Sequence, residues 1–352
     1  MKNTLRLVKR KRLIPKPHPT MKTNMSEFIS ITIYSEKIPN KGEDAEPLLK
    51  LEKNGVSILG VFDGLGGAGS TIYEENGVTR SGAYLAARIA KNVTLKMFSQ
   101  ANLSFKFLRD ELVSTLQQKA VALNHTPSKL KSSLIKRLPT TAAIILLKQS
   151  NNSLFIDCLS MWAGDSRGYS LTPDDGLRQI TQDDLKSSGD ALDNLLNDSP
   201  LSNYINADTN FILHHQRDNF DSPCVLLVAT DGCFNYVPTP MHFEFLLLKT
   251  LSTAKTQDEW QHQLKEELVK IACDDVSMAL VAIGWSDFNS FQQCFENRYQ
   301  FILKNYIHEF NEIDRKIKSL EQELAVYKPI REKKRMDLWI KYKTSYEALI
   351  KK

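Results

Sequence analysis

Two runs rich in β-branched and aromatic residues, FISITIY (28–34) and VSILGVF (56–62), flank a stretch of Gly, Pro, Asn and charge, and predict two strands. Over 77–122 the period changes. Tyr84, Leu85, Ile89 and Val93 share one helical face and Phe107, Leu108, Leu112 and Leu116 another, which predicts two helices packed on a sheet. Four further apolar runs follow: TAAIILL (141–147), SLFIDCLSMW (153–162), CVLLVATD (224–231) and VSMALVAIG (276–284). Helix-like segments at about 241–252 and 257–272 separate the last two. Strands and helices come in blocks instead of alternating, so the chain reads as an α+β fold of antiparallel sheets covered by helices. Residues 172–222 are polar, rich in Asp, Asn and Ser and weakly patterned, and read as a long surface excursion.

A different pattern begins at Phe291. Phe291, Phe295, Tyr299, Ile302, Tyr306, Phe310, Ile313, Ile317, Leu320, Leu324 and Tyr327 recur at spacings of 3 and 4 in a heptad-like stripe. Pro329 interrupts it, and Trp339, Tyr342, Tyr346 and Leu349 form a second face. An antiparallel, coiled-coil-like helical hairpin over 287–352 is the simplest packing of the two stripes. Its many aromatics point to a recruitment or self-association element outside the catalytic core. Truncation after Asp287 is then expected to spare activity.

Composition narrows the class. At 352 residues, 42% hydrophobic and 25% charged, the chain is long enough for a large folded domain with an appendage. Five scattered cysteines without a CxxC pair suggest neither a disulfide framework nor a thiolate zinc site, and a reducing, cytoplasmic compartment is expected. No apolar run approaches the roughly 20 residues that span a bilayer. The net charge of +5 owes much to residues 1–25, a basic tail without an acid before Glu27 that is expected to be disordered. No aromatic-interleaved basic patch accompanies it, so nucleic acid is not an expected partner.

The candidate chemistry is acidic. GEDAE (42–46), VFDGLGG (61–67), VATDGCF (228–234) and CDDVSMALV (273–281) each place an Asp at the end of an apolar strand, where a loop can deliver it into a shared cleft. A single such Asp is ordinarily a turn residue. Four together would repel unless hard cations neutralised them, and Mg²⁺ and Mn²⁺ favour such oxygen ligands. Two ions about 3.5–4 Å apart acidify a bridging water and clamp a phosphoryl oxygen, so the expected chemistry is hydrolysis of phosphate esters. Gly64 and Gly232, each following an Asp, leave room for a close approach. Adjacent His214 and His215 face opposite ways on a strand, against a joint metal role. Thr140 and Thr141 read as the start of a buried strand, and Cys233 as a buried residue.

In order, these blocks, with LPTTAAIILL, WAGDSRGYSL (162–171) and ITQDDL, resemble the metal-dependent protein phosphatase (protein phosphatase 2C) family over roughly 28–285. The resemblance implies two antiparallel sheets sandwiched between helices (α-β-β-α), a catalytic domain over 26–286, and hydrolysis of phosphoserine or phosphothreonine in proteins. It implies that Asp63 bridges two Mn²⁺ or Mg²⁺ ions, that Gly64 offers a carbonyl, that Asp231 and Asp274 ligate one ion and that Glu43 lies near the other. Asp63 and Asp231 are the implied catalytic pair. Asp165 would help hold a third, looser ion or would be a turn residue bonded to Arg167 or Ser166; the roles of Asp44 and Asp275 stay open. The family's phosphate-binding Arg is replaced by Pro39, leaving Lys41 or Lys37 as point charges. Leu65 stands where some members carry His, and Asp184 where His is usual. The implied partners are a phosphoprotein substrate, a Ser/Thr kinase or its target. The missing Arg admits a second reading, a catalytically weak phosphatase-like module that binds or regulates a phosphoprotein or kinase.

Overall fold

The computed structural model describes residues 28–349 apart from 53–54, 76, 101–103, 127–134, 150–154, 188, 198 and 209. The tail expected at 1–25 lies outside the described residues. The chain forms β1 (Ile29–Ser35), β2 (Leu48–Leu51), β3 (Val56–Val61), a small hairpin of β4 (Ile72–Glu75) and β5 (Val78–Ser81), and helices α1 (Gly82–Ser99) and α2 (Phe105–Ala122). Strands β6 (Asn124–Thr126), β7 (Ala142–Gln149), β8 (Phe155–Ala163), β9 (Arg167–Thr172) and β10 (Gly176–Gln179) follow. Then come the short helix α3 (Ala191–Leu196), β11 (His214–Asp221), β12 (Cys224–Ala229), α4 (Pro240–Thr253), α5 (Gln257–Ile271) and β13 (Val276–Ile283). Helices α6 (Phe288–Ile302) and α7 (His308–Tyr346) come last.

Two antiparallel sheets carry the architecture, ordered β1-β13-β12-β9-β10 and β11-β8-β7-β3-β2. Their facing sides interdigitate: Leu59, Val61 and Ile145 of one meet Leu226, Val228 and Val281 of the other. The outer face of the first sheet packs under α4, α5 and α6, and that of the second under α1 and α2. The expected α-β-β-α sandwich is present. Strand β13 shows why its sequence is continuously apolar. Val276, Met278 and Leu280 point to the helical layer and Ala279, Val281 and Ile283 to the inter-sheet core, so neither face needs polar residues.

Two expectations are corrected. The polar stretch at 172–222 contains β10, α3 and the eight-residue β11, which pairs with β8 at the sheet edge. One of its faces meets solvent, so it lacks the apolar run that marked the other strands. The C-terminal hairpin is not formed. Among the described residues α7 is one helix of 39 residues that runs through Pro329. Proline fixes φ near the helical value; it removes one helical hydrogen bond and crowds the Ala325 carbonyl, and the helix continues at that cost. The first turns of the expected stripe also belong elsewhere. Phe291, Phe295 and Ile302 of α6 are buried in the domain core, with the Phe291 ring 4.9 Å from that of Trp285 and 5.4 Å from that of Trp260. Arg298 pairs with the buried Glu244 of α4 at 2.6 Å, and Gln292 Nε2 donates to the Leu251 and Ala254 carbonyls at the end of α4.

Candidate active site

The two central sheets end together at one edge of the sandwich, and their loops carry the acids. Glu43 and Asp44 come from the β1–β2 loop, Asp63 and Gly64 follow β3, Asp165 follows β8, Asp231 follows β12, and Asp274 and Asp275 precede β13. Local hydrogen bonds set each loop. Thr140 Oγ1 donates to the Asp63 carbonyl at 2.7 Å and the Thr141 N–H to the same oxygen at 2.8 Å, so the threonine pair, buried as expected, anchors the Asp63–Gly64 turn. Thr141 and Ser166 share a hydrogen bond of 2.6 Å between their hydroxyls. Asp275 clamps the β1–β2 loop: its carboxylate accepts from the N–H groups of Lys37 at 2.8 Å, Glu43 at 2.6 Å and Asp44 at 3.2 Å. The glycines have physical reasons. A Cβ on Gly64 would lie 2.6 Å from the Glu43 carbonyl oxygen, and one on Gly232 only 1.8 Å from that of Asp275. Strand-end backbones therefore touch where the acids converge.

These acids crowd one another. Asp44, Asp63 and Asp231 lie close enough for each to act on the ionisation of its neighbours. Desolvation, then the charges of Asp44 and Asp231, push the Asp63 carboxyl well above the usual carboxylate range. Desolvation, then Asp274, lifts Asp231 to about 6, and desolvation, then Asp231, lifts Asp165 to about 8. Asp44, Glu43 and Asp274 are also raised, desolvation leading in each. Asp44 Oδ2 and Asp165 Oδ1 are buried without a hydrogen-bond partner. Arg167 is engaged by Asp183 at 2.6 Å and Ser166 by Thr141. Among the described residues no three of these side chains are closed into a ready-made metal cage. Buried, unpartnered oxygens among clustered carboxyls are nonetheless the donor set that hard divalent cations take. The residues fit the ions that the resemblance implied. Asp165, Asp231 and Asp274 face a cleft of about 460 Å³, rimmed by Tyr236, Asn235 and residues of α3.

Four cations surround the β1–β2 loop. Lys41 is exposed, and the Lys37 ammonium donates to the Cys273 carbonyl. Two arginines not singled out from the sequence flank the same loop. Arg88 donates to the Glu43 carbonyl at 3.2 Å and lies 3.4 Å from the centre of the Tyr84 ring. Arg80 approaches the Asn40 carbonyl at 3.4 Å, one residue from Pro39 and beside Ser81, whose hydroxyl donates to Glu43 Oε1 at 2.5 Å. No periodic pattern marks Arg80, because it sits on a four-residue exposed strand. Asp184 accepts from the Gly164 N–H at 2.9 Å and pairs with His214 at 2.9 Å, so it holds the Asp165 turn. His214 stacks on Trp162 and His215 on Phe105, away from each other.

No family model matches the chain, and no curated protein matches it. Solved structures do. A bacterial serine phosphatase aligns with a TM-score of 0.55 and 17% identity over 74% of this chain and 99% of its own. The serine/threonine phosphatase Stp1 from Staphylococcus aureus aligns with a TM-score of 0.53 and 18% identity over 77% of this chain and 100% of its own. This is the protein phosphatase 2C-type fold. A C. elegans sex-determining protein is also similar, with a TM-score of 0.54 and 15% identity over 78% of this chain and 68% of that one. At these identities the likeness is one of fold. In this phosphatase-type fold no helix among the described residues is long and apolar enough to cross a membrane.

Proposed function

We propose that the chain is a metal-dependent protein serine/threonine phosphatase. The carrying observation is the convergence of Asp44, Asp63, Asp165, Asp231 and Asp274 from separate strand ends, with the Asp44 and Asp165 oxygens left without partners. Asp63, Asp231 and Asp274 would hold one Mn²⁺ or Mg²⁺, and Asp63, the Gly64 carbonyl and Glu43 would face a second, with Asp165 directed toward a third. When bound, such ions supply an acidified water and neutralise charge on a phosphoryl group. The chain's own residues do the rest. Thr140 and Thr141 fix the Asp63 carbonyl, Asp275 fixes the loop that carries Glu43, and Asp184 fixes the turn that carries Asp165. Arg80 is the phosphate contact that replaces the absent Arg at Pro39, since its planar fork can engage two phosphate oxygens and it borders the same loop. The substrate is a phosphoserine or phosphothreonine protein.

The experiment is hydrolysis of a phosphoserine peptide and of p-nitrophenyl phosphate with Mn²⁺ and in excess chelator. Turnover that requires Mn²⁺ supports the enzyme. Metal binding without turnover of either substrate favours the regulatory module, which Pro39 and the engaged Lys37 side chain motivate.

A further inference from the structure

We propose that α7 pairs, antiparallel, with α7 of a second copy of this chain. The inference is independent of the phosphatase reading. After Phe310, whose ring packs 4.7 Å from that of His242, the helix leaves the domain, and no residue of α7 is buried. It extends about 58 Å at 1.5 Å per residue. Along it Ile313, Ile317, Leu320 and Leu324 are 48–56% exposed, and Trp339, Tyr342 and Tyr346 are 37–64% exposed. Among the described residues nothing covers these apolar stripes. Pro329 lies inside the continuous helix, so the chain does not fold back to cover one stripe with the other.

Charge and spacing together select the occupant and its direction. Residues 308–327 carry five acids and three bases, whereas residues 328–346 carry two acids and seven bases. Two copies in parallel would lay the basic half on the basic half; antiparallel copies lay basic on acidic. The stripes fit this second arrangement as well. Ile313, Ile317 and Leu320 are spaced 4 and 3, and Tyr346, Tyr342 and Trp339, read backwards, are also spaced 4 and 3. Ile313 then faces the partner subunit's Tyr346, Ile317 the partner subunit's Tyr342, and Leu320 the partner subunit's Trp339. The two-fold axis crosses near Pro329. In this register the partner helix ends opposite Ile313, one turn above the Phe310–His242 contact, so it fills the free length of α7 and stops where the domain begins. Each aliphatic half thereby receives an aromatic half, and the two sandwich domains sit at opposite ends of the pair.

The test uses the full chain with the exposed Cys273 and Cys294 changed to Ser. Sedimentation should give a species of twice the 40.1 kDa chain mass. Leu320→Cys and Trp339→Cys chains, mixed under reductant and then oxidised, should form a mixed disulfide dimer, while either variant alone cross-links poorly. The double variant Ile317→Lys, Leu320→Lys should sediment as a monomer with the thermal transition of the domain unchanged, because neither side chain touches the core. A monomeric parent, a Leu320→Cys chain that cross-links to itself, or a dimeric double-lysine variant would each overturn the proposal.

Discussion

Removing α6 is expected to unfold the sandwich domain, whereas removing α7 is not. Phe291, Phe295 and Ile302, with Ile307 just beyond α6, are at most 1% exposed and pack into the cluster that covers the β1-β13-β12 sheet. At roughly 1.5–3 kcal/mol for each fully buried large apolar side chain, the four contribute about 6–12 kcal/mol. That is comparable with the entire stability of a typical domain, about 5–15 kcal/mol. The deletion also uncovers Trp285 and Trp260 and strands the buried Glu244 carboxylate without Arg298. A chain ending at Asp287 should therefore show no cooperative thermal transition by near-ultraviolet circular dichroism. A chain ending at Glu312 should melt within a few degrees of the full protein, since α7 buries nothing in the domain. Cooperative melting of the shorter chain near the full-length value would refute this reasoning and return α6 to the appendage expected from the sequence.

Other outcomes follow from the site. The raised carboxylates, Asp231 to about 6 and Asp165 to about 8, bind more protons folded than unfolded, so the metal-free protein should lose stability as pH rises from about 4 to 8. Divalent metal should displace those protons, giving a rise in Tm with Mn²⁺ that is larger at pH 8 than at pH 5; the opposite trend in melting scans would contradict the clustering. Arg80→Ala should raise KM for a phosphopeptide several-fold or more, with Arg80→Lys recovering only part and Lys41→Ala changing it less; equal effects in steady-state kinetics would remove Arg80 from the phosphate site. Asp183→Ala leaves the Arg167 guanidinium buried and unpaired, and should cost roughly 3–5 kcal/mol in urea denaturation.

How much was legible in the sequence depended on what each signal encodes. VSMALVAI and AAIILL are buried on both sides, and such runs announce central strands without ambiguity of face. The acids were legible because Asp63 and Asp231 follow apolar runs and Asp274 precedes one, and acids at the edges of several apolar strands are not called for by turns alone. The appendage was misread because a spacing of 3 and 4 identifies a helical face and not what covers it. The same spacing describes Phe291 and Phe295, which enter the core, and Ile317 and Leu320, which do not. Strand β11 was hidden because it lies at the sheet edge with no buried residue, and seven of its eight residues are polar. Arg80 was invisible because its value comes from β4–β5 turning back onto the Asn40 loop, a contact across 40 residues that no local pattern reports.

The most direct test compares the wild-type chain with Asp63→Asn. Asp63 feels the charges of Asp44, Asp231, Asp165 and Asp274, and the substitution removes its own charge from the cluster while nearly keeping the shape. With saturating Mn²⁺ the wild-type chain should hydrolyse a phosphoserine peptide and should stop in excess chelator. Asp63→Asn should fall by at least about a hundredfold in kcat/KM, a loss of roughly 2.7 kcal/mol in transition-state stabilisation, with its fold intact by circular dichroism. Hydrolysis by Asp63→Asn at the wild-type rate, or by the wild-type chain in chelator, would contradict a metal-dependent phosphatase centred on Asp63.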